Sequence, residues 1–269
     1  MVKKALFVLA LIIILVVELF PVYWIVISSL RSRAEIVGAA PLYPTSFRLD
    51  NFYHVFIYWK YYQYVINSLI VATGNTVLVL LLTLPTSYVL ARFGIKGSRH
   101  LSFWALTNRM APAAAFLLPI YLLFGMVGLS GTYLGLIIAF ALFNIPLSIW
   151  LLTAAISSVP KEIEEAALLD GLSPLKVLTK ITIPIAKPGI VTTGLLVWLF
   201  AWNHYILGMI LTGPGTKLIT NALGDYAMTP IGIEWEYVAA MTVGTIIPVF
   251  IVMLIVRKAI VAGFSFGRI

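Results

Sequence analysis

Long apolar runs broken by short polar segments set the character of this chain. The runs are continuous over about 20 residues rather than alternating in segments of about 10, which predicts membrane-crossing helices and not a barrel. Six spans follow from them, at about residues 5–30, 65–91, 101–126, 132–156, 189–212 and 237–256. From Met110 to Pro160 there is no Asp, Glu, Lys or Arg, a stretch too long for one crossing. Gly128, Ser130 and Gly131 mark the turn of a helical hairpin inside it. Lys3 and Lys4 before an apolar run resemble a signal peptide, with Val37-Gly38-Ala39 as a cleavage site. The run to Leu30 exceeds a signal core of about 7–15 residues, so it reads as an uncleaved first span. The expected fold is all-α: a polytopic membrane protein forming a single transmembrane domain over residues 1–269.

One passage breaks the pattern, VPKEIEEAALLDGLSPLKVLTKITIPIAKP from Val159 to Pro188. Pro160 suits a first helical turn, where a missing N–H costs nothing. Glu162, Glu164 and Glu165 then place negative charge at the positive end of the helix dipole. Gly171 supplies the stop. Ser173 and Pro174 read as N-cap and first-turn proline of a second short helix, which runs until Pro184 and Pro188 break it. Ile163, Ala166, Ala167 and Asp170 fall three or four apart, giving the first helix a face of mostly small residues that another surface can approach closely. An ordinary amphipathic loop explains the pattern too; its length and internal capping favour a docking element.

Composition and charge narrow the class. At 61% hydrophobic and 10% charged residues, with mean hydropathy +1.03, the chain lies far from soluble domains, which are roughly 25% charged. The formal net charge of +8 does not indicate nucleic acid, because the basic residues sit in short loops between apolar runs. With the N-terminus inside, Lys3, Lys4, Arg92, Lys96, Arg99, Lys161, Lys176, Lys180, Lys187, Arg257, Lys258 and Arg268 are cytoplasmic, and Arg31, Arg33, Arg48, Lys60 and Lys217 are outside. That asymmetry predicts both termini and the 159–188 loop on the cytoplasmic side. No cysteine is present, which excludes disulfides and thiol ligands, and three isolated histidines make no metal site. A phosphate-binding GxxxxGK[ST] segment, paired catalytic acids and internal repeats are all missing from the sequence.

Glu165-Ala166-Ala167, three intervening residues before Gly171, nine more before Ile181, then Ile183-Pro184, closely resemble the EAA loop of binding-protein-dependent ABC importer permeases. Ile183 stands where leucine is usual, and Leu172 follows the glycine where a small residue is common. The likeness implies that Val159 to Gly171 is a coupling helix seated in a cleft of a cytoplasmic ATPase subunit, with Glu164, Glu165, Ala166, Ala167, Asp170, Gly171, Ile181 and Pro184 as coupling residues. The acids either pair with basic residues of that cleft or serve only the helix dipole. Pro21-Val22-Tyr23-Trp24, Ser28-Ser29-Leu30, Asn67-Ser68-Leu69, Tyr88-Val89-Leu90-Ala91-Arg92-Phe93, Met110-Ala111-Pro112, Pro119-Ile120-Tyr121 and Trp202-Asn203 extend the resemblance to the sugar-importer branch, at the smaller maltose-type permease. It implies import of a sugar or related carbohydrate by alternating access across a prokaryotic cytoplasmic (inner) membrane. It also implies a second permease in a heterodimer, two ATPase subunits that carry ATP and Mg, and an extracytoplasmic solute-binding protein, with no cofactor on this chain.

The substrate path is less distinct. Trp202 and Asn203 combine a ring face for sugar C–H groups with an amide for hydroxyls, and Asn75 and Asn144 add polarity to other spans; ordinary helix packing is the stronger single explanation. Trp198, His204, Tyr205, Asn67 and Asn108 share that ambiguity. Arg109 and Glu18 are charges inside spans, costing at least about 2.5 kcal/mol each on insertion scales unless paired or wet. They either pair with each other, or Arg109 meets water at the inner end of span three. The aromatic series Phe47, Phe52, Tyr53, Phe56, Tyr58, Trp59, Tyr61, Tyr62 and Tyr64 suits interfacial anchoring, solute-binding-protein docking or packing on a partner. A stand-alone secondary transporter or channel is the competing class, and it leaves the Glu-Ala-Ala passage without a purpose. Polyol or glycerol-phosphate import is not separated from sugar import.

Overall fold

The computed structural model describes residues 2–38, 41–43, 45–94, 97, 107, 113–227 and 233–265. Along the chain come α1 (Val2–Ser29), α2 (Arg33–Val37), α3 (Asp50–Tyr53) running into a π turn (His54–Tyr58), α4 (Tyr62–Arg92), α5 (Ala113–Met126) and α6 (Tyr133–Ser157). They are followed by α7 (Lys161–Leu169), α8 (Pro174–Val177), a second π turn (Leu178–Thr182), α9 (Ile183–Trp202), α10 (Ile206–Leu211), α11 (Ile219–Ala227) and α12 (Trp235–Ser265). No strand occurs among the described residues.

Among those residues five helical stretches are long and apolar enough to cross a membrane: α1, α4, α6, Pro174–Trp202 and α12; α5 is a shorter apolar helix. The expected third span, 101–126, lies partly outside the described residues, and so do Asn108 and Arg109 and any pairing of Arg109 with Glu18. Glu18 itself is exposed on α1. The expected turn between two apolar helices is present, with Gly128 at φ 71° and Gly131 at φ 75° joining α5 to α6.

Two expectations need correction. Pro184 and Pro188 do not break a helix: α8 continues through the π turn into α9, with Pro184 in the first turn of α9 and Pro188 inside it. The wide turn shifts the register just ahead of Pro184, and in the first turn of a helix a proline's missing N–H is not needed. The fifth span also ends earlier than 212. Asn203 caps α9, its backbone N–H and its Nδ2 both donating to the Leu199 carbonyl, at 3.0 and 2.8 Å. A new short helix, α10, then begins at Ile206.

The chain divides into two compact units, Met1–Val65 with Asn221–Pro248, and Ile66–Thr220 with Val249–Ile269. In the first, Asn51 donates to the carbonyls of Ser29 and Arg31 at 3.0 and 2.9 Å, occupying acceptors left over at the end of α1. Glu35 collects the hydroxyls and backbone N–H groups of Thr45 and Ser46 and the N–H of Ser32. The Ser46 and Thr45 hydroxyls hold its carboxyl well below the usual range. The aromatic series divides. Trp59 stacks on Tyr226 at 4.8 Å and His54 on Tyr237 at 4.9 Å, while Phe47, Tyr53 and Tyr58 stay exposed.

The second unit is built on α4, α6 and α9. Lipid is as apolar as leucine, so helices in a membrane associate through close packing and interhelical hydrogen bonds. Both are present here. Gly189 of α9 lies so near α6 that an added Cβ would stand 2.5 Å from that of Ala155. Asn144 of α6 donates to Asn75 Oδ1 at 2.8 Å, and Asn75 donates to the Ile137 carbonyl at 2.8 Å. Further along the same pair the Thr83 and Ser148 hydroxyls meet at 2.8 Å, and Ser87 donates to the Ile149 carbonyl at 3.2 Å. Val79, Ala141 and Val197 fill the space between the three helices.

Candidate functional site

The passage that broke the apolar pattern folds as a capped helix followed by a bend. Pro160 is the N-cap of α7, with Glu162 and Glu164 in the first turn. At the other end the Gly171 N–H donates to the Leu168 carbonyl at 3.0 Å and the Leu172 N–H to the Ala167 carbonyl at 3.1 Å. This paired arrangement is the Schellman motif, which needs a left-handed residue after the cap. Gly171 supplies it at φ +87°, and a Cβ there would meet nothing within 4 Å. Glycine is therefore required for the backbone angle and not for room.

The helix has an inner and an outer face. Glu164 and Ala167, three apart, are buried with Val159 beneath them. Glu162, Glu165, Ala166 and Leu169 turn outward, and Asp170 and Gly171 are exposed at the bend. Leu169 is 89% exposed, with Leu175 of α8 at 68% and Ile163 at 44%. A short helix with that much bare apolar surface, edged by acids, is suited to insertion into a groove of another protein. Of the remaining sequence-predicted residues in this region, Ile181 is half-buried in the π turn and Pro184 is exposed.

The two adjacent acids part company. Glu165 faces out; Glu164 faces into its own chain and meets Arg92, the last residue of α4. Arg92 Nε donates to Glu164 Oε2 at 2.7 Å and Nη2 to Oε1 at 3.0 Å, with both side chains under a tenth exposed. The same Nη2 donates to the carbonyls of Ile156 and Val159 at 2.8 and 2.9 Å. Those carbonyls lie at and just past the end of α6, where intrahelical donors run out and a cation is favoured. Thr182 in the π turn adds its hydroxyl to Glu164 Oε1 at 2.8 Å. A planar fork on a carboxylate is the strong form of charge-assisted hydrogen bond, and here it ties together the ends of α4 and α6, α7 and the π turn. Tyr88, Ile156 and Leu178 pack together in the same region. The sequence reading places Arg92 among the inner-side charges and in the Tyr88–Phe93 motif, without pairing it to Glu164, and does not include Thr182; an arginine at the last position of an apolar run is the available signal.

Of the substrate-path candidates the structure brings Asn75 and Asn144 together, and not the set as one site. Asn75 and Asn144 form the buried link between α4 and α6 already described, and Asn144 also points Nδ2 at the Val197 carbonyl, 3.5 Å away. Trp202 is buried, stacked on Trp198 with centroids 5.0 Å apart. Asn203 is exposed and spends its amide on the α9 cap. His204 stacks on Phe140 at 4.6 Å. Among the described residues no group of His, Asp or Glu side chains is placed to hold a metal.

Residues 83–264 match the family model of the binding-protein-dependent transport system inner membrane component. The trehalose transport system permease protein SugB of Mycobacterium tuberculosis is 31% identical, over 93% of this chain and 92% of that protein. The diacetylchitobiose uptake system permease protein NgcG of Streptomyces coelicolor is 28% identical, over 94% of this chain and 84% of its own length. In fold the chain is similar to a bacterial ABC transporter involved in the import of the acidic polysaccharide alginate. That match has a TM-score of 0.79 and 24% identity and covers 96% of each chain.

Proposed function

The chain belongs to the binding-protein-dependent transport system inner membrane component family, and from that membership we propose that it is the permease subunit of an ATP-driven importer for a sugar or related carbohydrate. The observation that carries the proposal is α7: a capped, glycine-bent helix with an outer face of Glu162, Glu165, Ala166 and Leu169 and an inner face fastened by Glu164. The outer face is the surface offered to a cytoplasmic ATPase subunit. Two such subunits, closing on ATP with its Mg, draw two coupling helices together, one from this chain and one from a second permease. Energy enters through those partners, and this chain transmits it. Ala166 allows close approach, Gly171 sets the bend, Asp170 and Glu165 present charge to basic groups of the cleft, and Ile181 and Pro184 lie where the bend joins the following span.

The sugar assignment draws on what the relatives carry: SugB is named for trehalose and NgcG for diacetylchitobiose. The path through the membrane is proposed to run beside α9, where Trp202 and Asn203 end the helix, with Asn75 and Asn144 holding the walls in register. The asymmetry of basic residues supports α7 and both termini on the cytoplasmic side. An extracytoplasmic binding protein delivers the solute to the opposite face.

Co-reconstitution of the chain with its ATPase subunits, the second permease and the binding protein in proteoliposomes tests this directly. ATP hydrolysis is expected to rise when the binding protein is loaded with one carbohydrate among a panel of disaccharides, polyols and glycerol phosphate. Uptake that continues without the ATPase, or protease accessibility of α7 from the outside, overturns the assignment.

A further inference from the structure

Arg92 sits at one end of α4, and the other end of the same helix makes a second polar grip. Near that end Asn67 Nδ2 donates to the carbonyls of Gly215 and Lys217 at 3.1 and 2.9 Å, and its Oδ1 accepts from the Tyr133 hydroxyl at 2.7 Å. The neighbouring Ser68 hydroxyl accepts the Ile219 N–H at 2.8 Å. The segment from Gly213 to Ile219, which leads from α10 into the first residue of α11, is therefore hung on the first turns of α4 and the beginning of α6. Twenty-five residues of helix separate Asn67 from Arg92, a rise of about 37 Å, so the two grips lie on opposite sides of a bilayer.

Between the grips α4 and α6 are pinned at Asn75–Asn144, Thr83–Ser148 and Ser87–Ile149, which makes the pair one rod. At the α7 end the rod meets α7 through only Ser158, Val159 and Pro160. A three-residue joint of this kind would flex, except that Arg92 holds the carbonyls of Ile156 and Val159, on both sides of Ser158, and the carboxylate of Glu164 beyond them. Motion of α7 is thus handed to the rod instead of being absorbed at the joint. Packed elements fastened this way move as bodies, not by continuous deformation.

We propose that Arg92 and Asn67 are positioning residues at the two ends of an α4–α6 lever, so that ATP-driven displacement of α7 moves the Gly213–Ile219 segment on the far side of the membrane. The inference rests on the proposed docking of α7 to an ATPase and adds what that docking moves. Hydrogen exchange of the assembled transporter in nanodiscs, with and without ATP, tests it without any knowledge of the solute. In the wild type, ATP is expected to change exchange both in α7 and in residues 213–219. In Arg92→Gln the α7 response should remain and the 213–219 response should be lost. A merely structural contact would alter the baseline but leave the ATP dependence. Asn67→Leu, which does not touch the α7 region, should give the same loss, and it carries the test if Arg92→Gln fails to assemble. An unchanged ATP response of 213–219 in both variants, or no response there in the wild type while α7 responds, overturns the lever and leaves the docking of α7 standing. Lack of an α7 response in the wild type removes the docking itself and the lever with it.

Discussion

Replacing Gly171 gives a graded test of the bend after α7, because the structure separates angle from volume. The residue holds φ +87°, and an added Cβ would meet nothing within 4 Å. Steric volume therefore contributes nothing to the cost, and only the left-handed backbone does. For an L-residue that cost is about 1–2 kcal/mol, least for asparagine and greatest for a β-branched side chain. A shift of that size changes the population of the bent form by a factor of about 5–30. The loss should follow the order Asn, Ala, Val, and should appear in two readouts. One is amide protection of Leu172, whose N–H closes the cap on Ala167 at 3.1 Å. The other is solute imported per ATP hydrolysed by the reconstituted transporter, since a straightened bend moves α7, with its Leu169 face, relative to Leu175 and to the π turn that carries Thr182. An order set by side-chain size, with Asn worse than Ala, would refute the argument, as would a Val variant with wild-type protection and coupling.

Other outcomes follow from the same geometry. Asn144→Leu should destabilise the α4–α6 pair by the roughly 0.6 kcal/mol average, at most about 1.7, of membrane hydrogen bonds. The Asn75→Leu, Asn144→Leu double variant should lose less than the sum of the singles, and strict additivity in a steric-trap or denaturant measurement would count against the link. At Gly135 a Cβ would stand 2.1 Å from the Leu129 carbonyl oxygen, whereas at Gly125 it meets nothing within 4 Å; Gly135→Ala should lower the thermal midpoint and Gly125→Ala should not. Glu35 has its folded-state carboxyl held below the ordinary value of 4.5 by the Ser46 and Thr45 hydroxyls. Its contribution is complete above that value and is lost only as the pH falls through the depressed one. Thr45 and Ser46 amide protection, corrected for intrinsic exchange, should stay level from about pH 8 to pH 5 and fall in stronger acid. A loosening centred on the ordinary carboxyl value of 4.5 would show that the carboxyl is not held.

The apolar pattern was sufficient for α1, α4 and α6, whose ends fall within a few residues of the expected spans, because a continuous run of that length has no other stable form in a bilayer. The caps of α7 were legible for a local reason: proline, acids and glycine act on the backbone within one turn. The course from Pro174 to Trp202 was not. Prolines read as breakers, and nothing in the local sequence announces a π turn that lets Pro184 sit in the first turn of a renewed α-helix. The fate of Glu164 was also hidden. Two adjacent acids look alike in sequence, and which of them turns inward is decided by Arg92, 72 residues away. Similarly, Asn75 and Asn144 read as path or packing until their 2.8 Å link joined them.

The π turn at Leu178–Thr182 carries one more consequence. It adds a residue to a single turn, so the azimuth of everything after it is offset by about 100° from what the preceding turns would dictate. The direction in which Trp198 and Trp202 point is thereby set by the length of five residues at the other end of the helix. Deleting one of them would leave each ring in its own sequence context and rotate both onto a different neighbour. For a chain of this kind, a change in residue count at that place acts as a dial on the membrane segment, with no substitution inside the segment at all.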